Sequence, residues 1–237
     1  MKIEIMGAKI YNLENKVKEL IQEKDEMKNK INDLNNENQL IRKEVNDLKI
    51  KINSLSVNFG VIDIDSKIIE NPKDINFVIK EIESNNNKIN NITLIYRAKE
   101  DGDTIEKFHS KCDNKSNTFM IIKTTKGYIF GGFTKSGWKN VKGEDIYDDK
   151  AFCFSLNLKR IYNIKNPKKA LHCQSVDGRP SFGSDNYVFL IGNNFLSNNI
   201  NRAERIVDYK GEKKEREING GNEYFTIEEM EVFQILF

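Results

Sequence analysis

The sequence predicts an α+β protein in which a long N-terminal parallel coiled-coil helix precedes an antiparallel β-sandwich with short flanking helices. An apolar seven-residue repeat runs through residues 3–55, and beyond it the apolar period changes to two. All three prolines and every glycine except Gly7 lie after residue 57. Because the two periods need different backbones, we predict two domains, a dimerisation rod at 1–56 and a sandwich at 57–237.

The composition excludes several classes of protein. The 237 residues are 31% charged and 38% hydrophobic, and the formal net charge of +2 favours neither nucleic acid nor an anionic surface as a partner. The sequence contains no run of eighteen apolar residues, so it predicts no membrane insertion. The charged N-terminus lacks the apolar core of a secretory signal. Three cysteines are too few for a disulfide framework, so we expect a cytoplasmic protein.

The repeat predicts a coiled coil. With Ile3 at heptad position a and Met6 at d, the seam is apolar except at Lys24 and Asn38. A single surface helix would drift out of so strict a repeat. The predicted oligomer interface comprises Ile3, Met6, Ile10, Leu13, Val17, Leu20, Lys24, Met27, Ile31, Leu34, Asn38, Ile41, Val45, Leu48, Ile52 and Leu55.

The same seam predicts a parallel homodimer. β-branched residues at a with mostly Leu at d favour two parallel chains, and Asn38 supports this because its amide can pair with its symmetry mate only in register. The charges that flank the seam would form attractive pairs between chains: Lys9–Glu14, Glu23–Lys28, Glu37–Arg42 and Glu44–Lys49.

The second domain reads as short strands with few helices. Asn71 and Pro72 open a helix through about Ile82, and Asp103 with Glu106 forms a capping pair for a second helix. A hairpin turns at Lys126-Gly127, and its first strand is apolar on both faces. The predicted strands are 92–98, 118–124, 128–133, 151–156, 160–164, 171–175, 187–192 and 224–237. Such a pattern is typical of an antiparallel sandwich with flanking helices.

Several blocks of this domain resemble a known family. They are LIYRAKEDGDTIEKFHSKCDNKSNTFMIIKTTKGYIFGGFT (94–134), AFCFSLN (151–157), Phe182-Gly183 and EMEVFQI (229–235). Together they resemble the TLDc family of oxidation-resistance proteins over residues 61–237. The resemblance implies a sandwich fold, binding to proteins and notably to the vacuolar proton pump (V-ATPase), and protection against oxidative stress. The chain departs from the family pattern after Gly183, above all in the charged segment 198–221.

Histidine and cysteine suggest two kinds of chemistry. His109 and Cys112 lie one helical turn apart, and His172, Cys173 and Cys153 could complete a zinc site. His172 and Cys173 are adjacent on a predicted strand, however, so their side chains point to opposite faces. The sequence also contains no CxxC pair. The cysteines also lie in apolar segments, where thiols are usually inert. We therefore predict no metal, no cofactor and no catalytic residue.

Glycines and acidic residues suggest two further sites. Gly131 and Gly132 with Lys135 resemble a phosphate loop, but a Walker motif needs a contiguous Gly-Lys-Ser/Thr, so the glycines indicate a bulge or a close backbone approach. The acidic side chains near residue 145 could hold a hard cation, although acidic loops are usually solvated: they are Glu144, Asp145, Asp148 and Asp149. Segment 202–217 reads as a nearly neutral loop.

Glu231 is the candidate functional carboxylate. It shares a strand face with Phe233 and Ile235, which would half-bury it, and it matches a glutamate in the family's closing motif. A structural hydrogen bond to backbone is the alternative role. The sequence thus favours a non-enzymatic interaction protein, with a cysteine-dependent antioxidant enzyme and a purely structural coiled-coil scaffold as alternatives.

Overall fold

A computed structural model describes residues 2–58, 64–84, 88–140, 143–173, 178–184, 187–198, 200–204, 206–211 and 213–237. The chain divides into two compact units, Met1–Ile52 and Asn53–Phe237. A single helix, α1, runs from Lys2 to Asn58 and confirms the predicted N-terminal helix. Within the described residues, no helix is both long enough and apolar enough to span a membrane.

Short helices flank the sheets of the second unit. The α-helices are α2 (Asn76–Ser84), α3 (Ala98–Asp101) and α4 (Ile105–Cys112), and 3-10 turns lie at Pro72–Ile75, Pro167–Lys169 and Glu217–Asn219. Asn71 caps the first turn as expected, since its Oδ1 accepts from Lys73 N at 3.0 Å.

The predicted cap of the following helix was wrong. Thr104 caps α4 by accepting from Lys107 N at 3.3 Å. Asp103 Oδ2 accepts instead from Leu196 N at 3.3 Å. The capping role therefore falls one residue later than predicted, because Asp103 is used in a long-range contact.

In the part of the chain that the structure describes, thirteen strands form two antiparallel sheets. They are β1 (Asn91–Arg97), β2 (Thr118–Thr124), β3 (Ile129–Thr134), β4 (Glu144–Ile146), β5 (Phe152–Ser155), β6 (Arg160–Ile164), β7 (Leu171–Cys173), β8 (Pro180–Phe182), β9 (Phe189–Leu190), β10 (Asn201–Arg202), β11 (Tyr209–Lys210), β12 (Tyr224–Phe225) and β13 (Ile227–Leu236). The seven-stranded sheet has the order β1-β13-β2-β3-β5-β6-β11, and the six-stranded sheet has the order β12-β10-β9-β8-β7-β4. The predicted sandwich with flanking helices is confirmed.

Two hydrophobic cores enclose the seven-stranded sheet. Met120 and Ile122 of β2 lie in the core between the sheets. Phe119 and Ile121 lie in a second core on the outer face, beneath α2 and the segment 64–75 that precedes it. This explains why β2 is apolar on both faces.

The glycine pair of β3 marks a close approach, as the sequence predicted. A Cβ on Gly132 would lie 2.5 Å from the Phe182 ring of the other sheet, and a Cβ on Gly131 would lie 1.9 Å from the carbonyl oxygen of Met120. A side chain at 132 would therefore push the two sheets apart, whereas one at 131 would clash with the neighbouring strand β2 of the same sheet.

The later strands differ most from prediction. The expected strand 224–237 breaks into β12 and β13, the strand at 187–192 shortens to β9, and β4, β8, β10 and β11 were missed. Residues 174–175 of the predicted strand 171–175 lie outside the described residues.

The charged segment is not simply a neutral loop, because it contains β10 and β11. Asn201 at the start of β10 is fully buried. Its Oδ1 accepts from Gly192 N at 2.9 Å, and its Nδ2 donates to Phe225 O at 3.0 Å. The buried amide thus ties the segment to two neighbouring backbones.

Candidate functional site

Glu231 lies near the middle of β13, the strand held between β1 and β2. It pairs across the sheet with Arg97 on one side and Ile121 on the other. Phe233 and Ile235 share its face and belong to the outer core. The residue is 0% exposed, so the carboxylate is fully buried and not half-buried as its pattern suggested.

Both carboxylate oxygens of Glu231 have hydrogen-bond donors. Oε1 accepts from Arg97 Nε at 2.8 Å and from Lys67 N at 2.9 Å. Oε2 accepts from Ser66 Oγ at 2.5 Å. A buried carboxylate is tolerated only with such compensation, so a cation and fixed dipoles replace the water that burial removes.

Arg97 also binds Asp65, in the segment that precedes the 3-10 turn Pro72–Ile75, and Glu100 in α3. Its Nη2 donates to Asp65 O at 2.8 Å, and its Nη1 donates to Glu100 Oε1 at 3.2 Å. Burial alone lowers the pKa of the Arg97 guanidinium, but the hydrogen bond and charge of Glu231, together with the charges of Glu100 and Asp65, outweigh it and raise the pKa overall. Sequence reasoning missed Arg97, although it is a lone cation between Tyr96 and Ala98.

We call Asp65, Ser66, Lys67, Arg97 and Glu231 the clamp. Ser66 Oγ also accepts from the backbone N–H groups of Ile68, at 3.0 Å, and Ile69, at 2.9 Å. The clamp therefore fixes the turn at 65–69 against the edge of the seven-stranded sheet. Because Glu231 presents no oxygen to solvent, its ion pair with Arg97 positions the turn and does not offer a site for a ligand.

The histidines predicted as metal candidates make local contacts. His109 Nδ1 lies 2.7 Å from Asp113 Oδ1, and its Nε2 lies 2.9 Å from the carbonyl oxygen of Gly178. His172 Nδ1 lies 2.7 Å from Asp145 Oδ1. Within the described residues, no three or more His, Cys, Asp or Glu side chains come together as a metal site.

The three cysteines are all buried, and none of them forms a disulfide with another. Burial raises the pKa of the Cys112 and Cys153 thiols, which disfavours the reactive thiolate. Cys173 Sγ donates to the carbonyl oxygen of Lys139 at 2.9 Å. The structure therefore places these thiols in the interior, as their apolar neighbours predicted.

The acidic group does not behave as one solvated loop. Asp148 is buried, and its Oδ2 accepts from Thr134 Oγ1 at 2.6 Å, Lys135 N at 2.7 Å and Ser136 N at 3.0 Å. Its carboxylate thereby joins the end of β3 to the segment before β5. Glu144 and Asp145 lie on β4, where Asp145 contacts His172.

Comparison with known proteins agrees with this architecture. A family model described as the TLDc domain matches residues 64–236, a range that holds both sheets and the clamp. The MTOR-associated protein MEAK7 of Danio rerio is 33% identical over 63 residues, or 27% of this chain. The match covers 14% of that relative's length.

Proposed function

Because the chain belongs to the TLDc domain family, we propose that it is a non-enzymatic protein-interaction module in which a coiled-coil dimer presents two TLDc domains. The exposed seam of α1 carries the dimer proposal. Its described apolar residues are between 46% (Val45) and 65% (Leu13) exposed in a single chain. A long apolar stripe of this kind favours a partner surface, and the seam is complementary to a second copy of itself.

The partner of the TLDc domains is proposed to be a protein complex in the cytoplasm. The name of the Danio rerio relative describes association with another protein, which supports a protein partner. The family resemblance favours the vacuolar proton pump and a role in resistance to oxidative stress. Two domains on one rod would increase avidity if the partner offers neighbouring sites.

A matched pair of α1 variants tests the dimer. Leu34 lies at a seam position and Leu40 lies outside it, yet their exposed fractions are 57% and 58%. We expect Leu34→Lys to convert the full chain to a monomer, because it would place a charge in the seam, and Leu40→Lys to remain dimeric. Sedimentation equilibrium measures both masses. A monomeric parent chain, or equal effects of the two substitutions, would refute the coiled-coil dimer.

Membranes that carry the proton pump test the partner. The full chain should be retained on them and should change ATP hydrolysis in a dose-dependent way, and Leu34→Lys should weaken retention by up to about 10²-fold if both domains engage. Without retention and without a change in hydrolysis, the pump is the wrong partner. If α1 alone captured the pump, the structural-scaffold alternative would be favoured.

The alternative of a cysteine-dependent antioxidant enzyme makes the opposite prediction about thiols. Since burial raises the pKa of Cys112 and Cys153, single Cys→Ala variants at 112, 153 and 173 should keep any protection against peroxide in cells. Survival and the thermal midpoint of each purified variant are measured together. Protection lost at an unchanged midpoint would favour the enzyme.

A further inference from the structure

A cleft of about 330 Å³ opens on the outer face of the seven-stranded sheet. Its apolar lining comes from two directions: Ile68 and Ile69 from the turn that the clamp holds, and Ile129 and Leu156 from β3 and the end of β5. Ile129 and Leu156 are only half-buried beside the outer core. The layer formed by 64–84 therefore leaves an apolar strip of the sheet accessible at this point.

The mouth of the cleft carries unbalanced negative charge. Glu70 and Asp74 line it, and both are exposed. Neither has an ion-pair partner among the residues that the structure describes. The cation on the lining, Lys123, is already neutralised, since its Nζ lies 3.1 Å from Glu228. Positive charge on a ligand would complement these two carboxylates.

The walls of the cleft are held in place before any ligand arrives. The clamp and the Ser66 hydroxyl fix the backbone of Ile68 and Ile69. The Asn71 cap fixes the turn that carries Asp74. A preformed site loses less conformational entropy on binding than a flexible one, so a ligand would not have to order these walls.

We propose that the cleft docks an extended peptide segment of the partner protein, with one apolar side chain flanked by lysine or arginine. The proposal rests on the protein-interaction function above and assigns it a surface. The cleft is at the small end of ligand pockets, a size suited to a single apolar side chain. The flanking cations then pair with Glu70 and Asp74 at the mouth.

Methyl NMR on the full chain tests the proposal. The probes are the acetylated, amidated pentapeptides Ser-Lys-Leu-Lys-Ser and Ser-Glu-Leu-Glu-Ser, added to deuterated protein labelled at Ile and Leu methyls. The lysine peptide should shift Ile69, Ile129 and Leu156 saturably, with at least about tenfold higher affinity than the glutamate peptide. No saturable shift at millimolar peptide, shifts confined to other regions, or equal affinities would overturn it.

Charge reversal provides the matched control. The double variant Glu70→Lys, Asp74→Lys should weaken binding of the lysine peptide about tenfold, whereas Glu106→Lys should not change it. Glu106 is an equally exposed carboxylate, but it lies on α4, which packs on the core between the sheets. Both variants should lower the thermal midpoint only slightly, because the altered side chains are exposed and the loss is limited to a favourable charge in the first turn of each helix. Equal peptide affinities in the two variants would show that Glu70 and Asp74 do not bind the lysine side chains of the peptide.

Pump-bearing membranes separate the failure of this surface from the failure of the function. If the parent chain is retained and the double variant at 70 and 74 is retained equally, the cleft is the wrong surface while the interaction function stands. If the lysine peptide binds as expected but the membranes do not retain the parent chain, the cleft stands and the pump is the wrong partner. Retention that falls only in the double variant supports both.

Discussion

The rod and the sandwich use the same apolar residue types in opposite surroundings. Seam residues of α1 such as Ile31 and Leu34 are more than half exposed, at 58% and 57%, whereas Ile121 and Phe233 of the sandwich are 0% exposed. The sandwich can therefore gain its hydrophobic stabilisation within one chain. In the proposed dimer, α1 would obtain the same gain from its partner helix.

Their polar residues differ in the same way. Asn38 lies on the exposed rod, where a seam amide would set the register of two chains at a cost in stability. Glu231 and Asn201 are buried and bind backbone groups of their own chain. Polar groups in the sandwich thus specify an internal geometry, whereas Asn38 would specify the register of the proposed dimer.

Removal of Glu231 should give the largest effect and should separate the two regions. Glu231→Ala leaves Arg97 buried at 4% exposure without its main counter-charge, which typically costs about 3–5 kcal/mol. Trp138, the sole tryptophan, is 1% exposed in the sandwich. Its fluorescence during urea unfolding should report the loss, while the helical circular dichroism of α1 persists.

The control for this variant is Glu100→Gln. Glu100 also contacts Arg97, but its side chain is 50% exposed, so the substitution should cost far less stability than Glu231→Ala. Similar losses in the two variants would show that the buried pair is not what stabilises the sandwich.

Asn38→Ile should change the rod alone. The proposed dimer would bury the Asn38 amide, so an apolar side chain at this position should stabilise the dimer by about 1–3 kcal/mol per seam residue. The substitution should also broaden the distribution of oligomers, because the amide that fixes the register is lost. Thermal melts at 222 nm and sedimentation velocity follow the two effects. The fluorescence of Trp138 should not respond to the substitution. A thermal melt that is unchanged by it would show that Asn38 lies outside any seam.

Substitution of Glu229 should give the smallest effect, a change in how the stability of the sandwich depends on pH. Burial raises the pKa of its carboxyl group, partly offset by hydrogen bonds from Lys99 N and Met230 N. The folded state therefore holds a proton that the unfolded state releases near pH 4.3, and the stability of the parent falls as pH rises from there through the folded pKa.

Glu229→Gln should remove that fall. Both backbone donors bind Oε1, which a glutamine retains. The variant should match the parent below about pH 4 and exceed it above the folded pKa, in urea midpoints measured across the range. A variant that is less stable than the parent at neutral pH would show that the ionised carboxylate is stabilising after all.

Local patterns predicted much of both regions. The heptad repeat determined the extent of α1, and the period of two placed β2, β3, β6 and the burial of Glu231. These features depend on which face of a helix or strand is apolar, and that information lies in neighbouring residues. The dimer predicted from the same repeat is the proposal that Leu34→Lys tests.

Only the tertiary structure decided the rest. Two-residue strands such as β10 and β11 exist because a neighbouring strand supplies their hydrogen bonds, and no local period marks them. Asp103 lost its capping role to a contact with Leu196, and Arg97 found Glu231 across 134 positions of sequence. In the sandwich, the sequence by itself determined which apolar faces avoid water. Which buried donor meets which acceptor was decided by the packed chain, because such pairings depend on distances that periodicity does not encode.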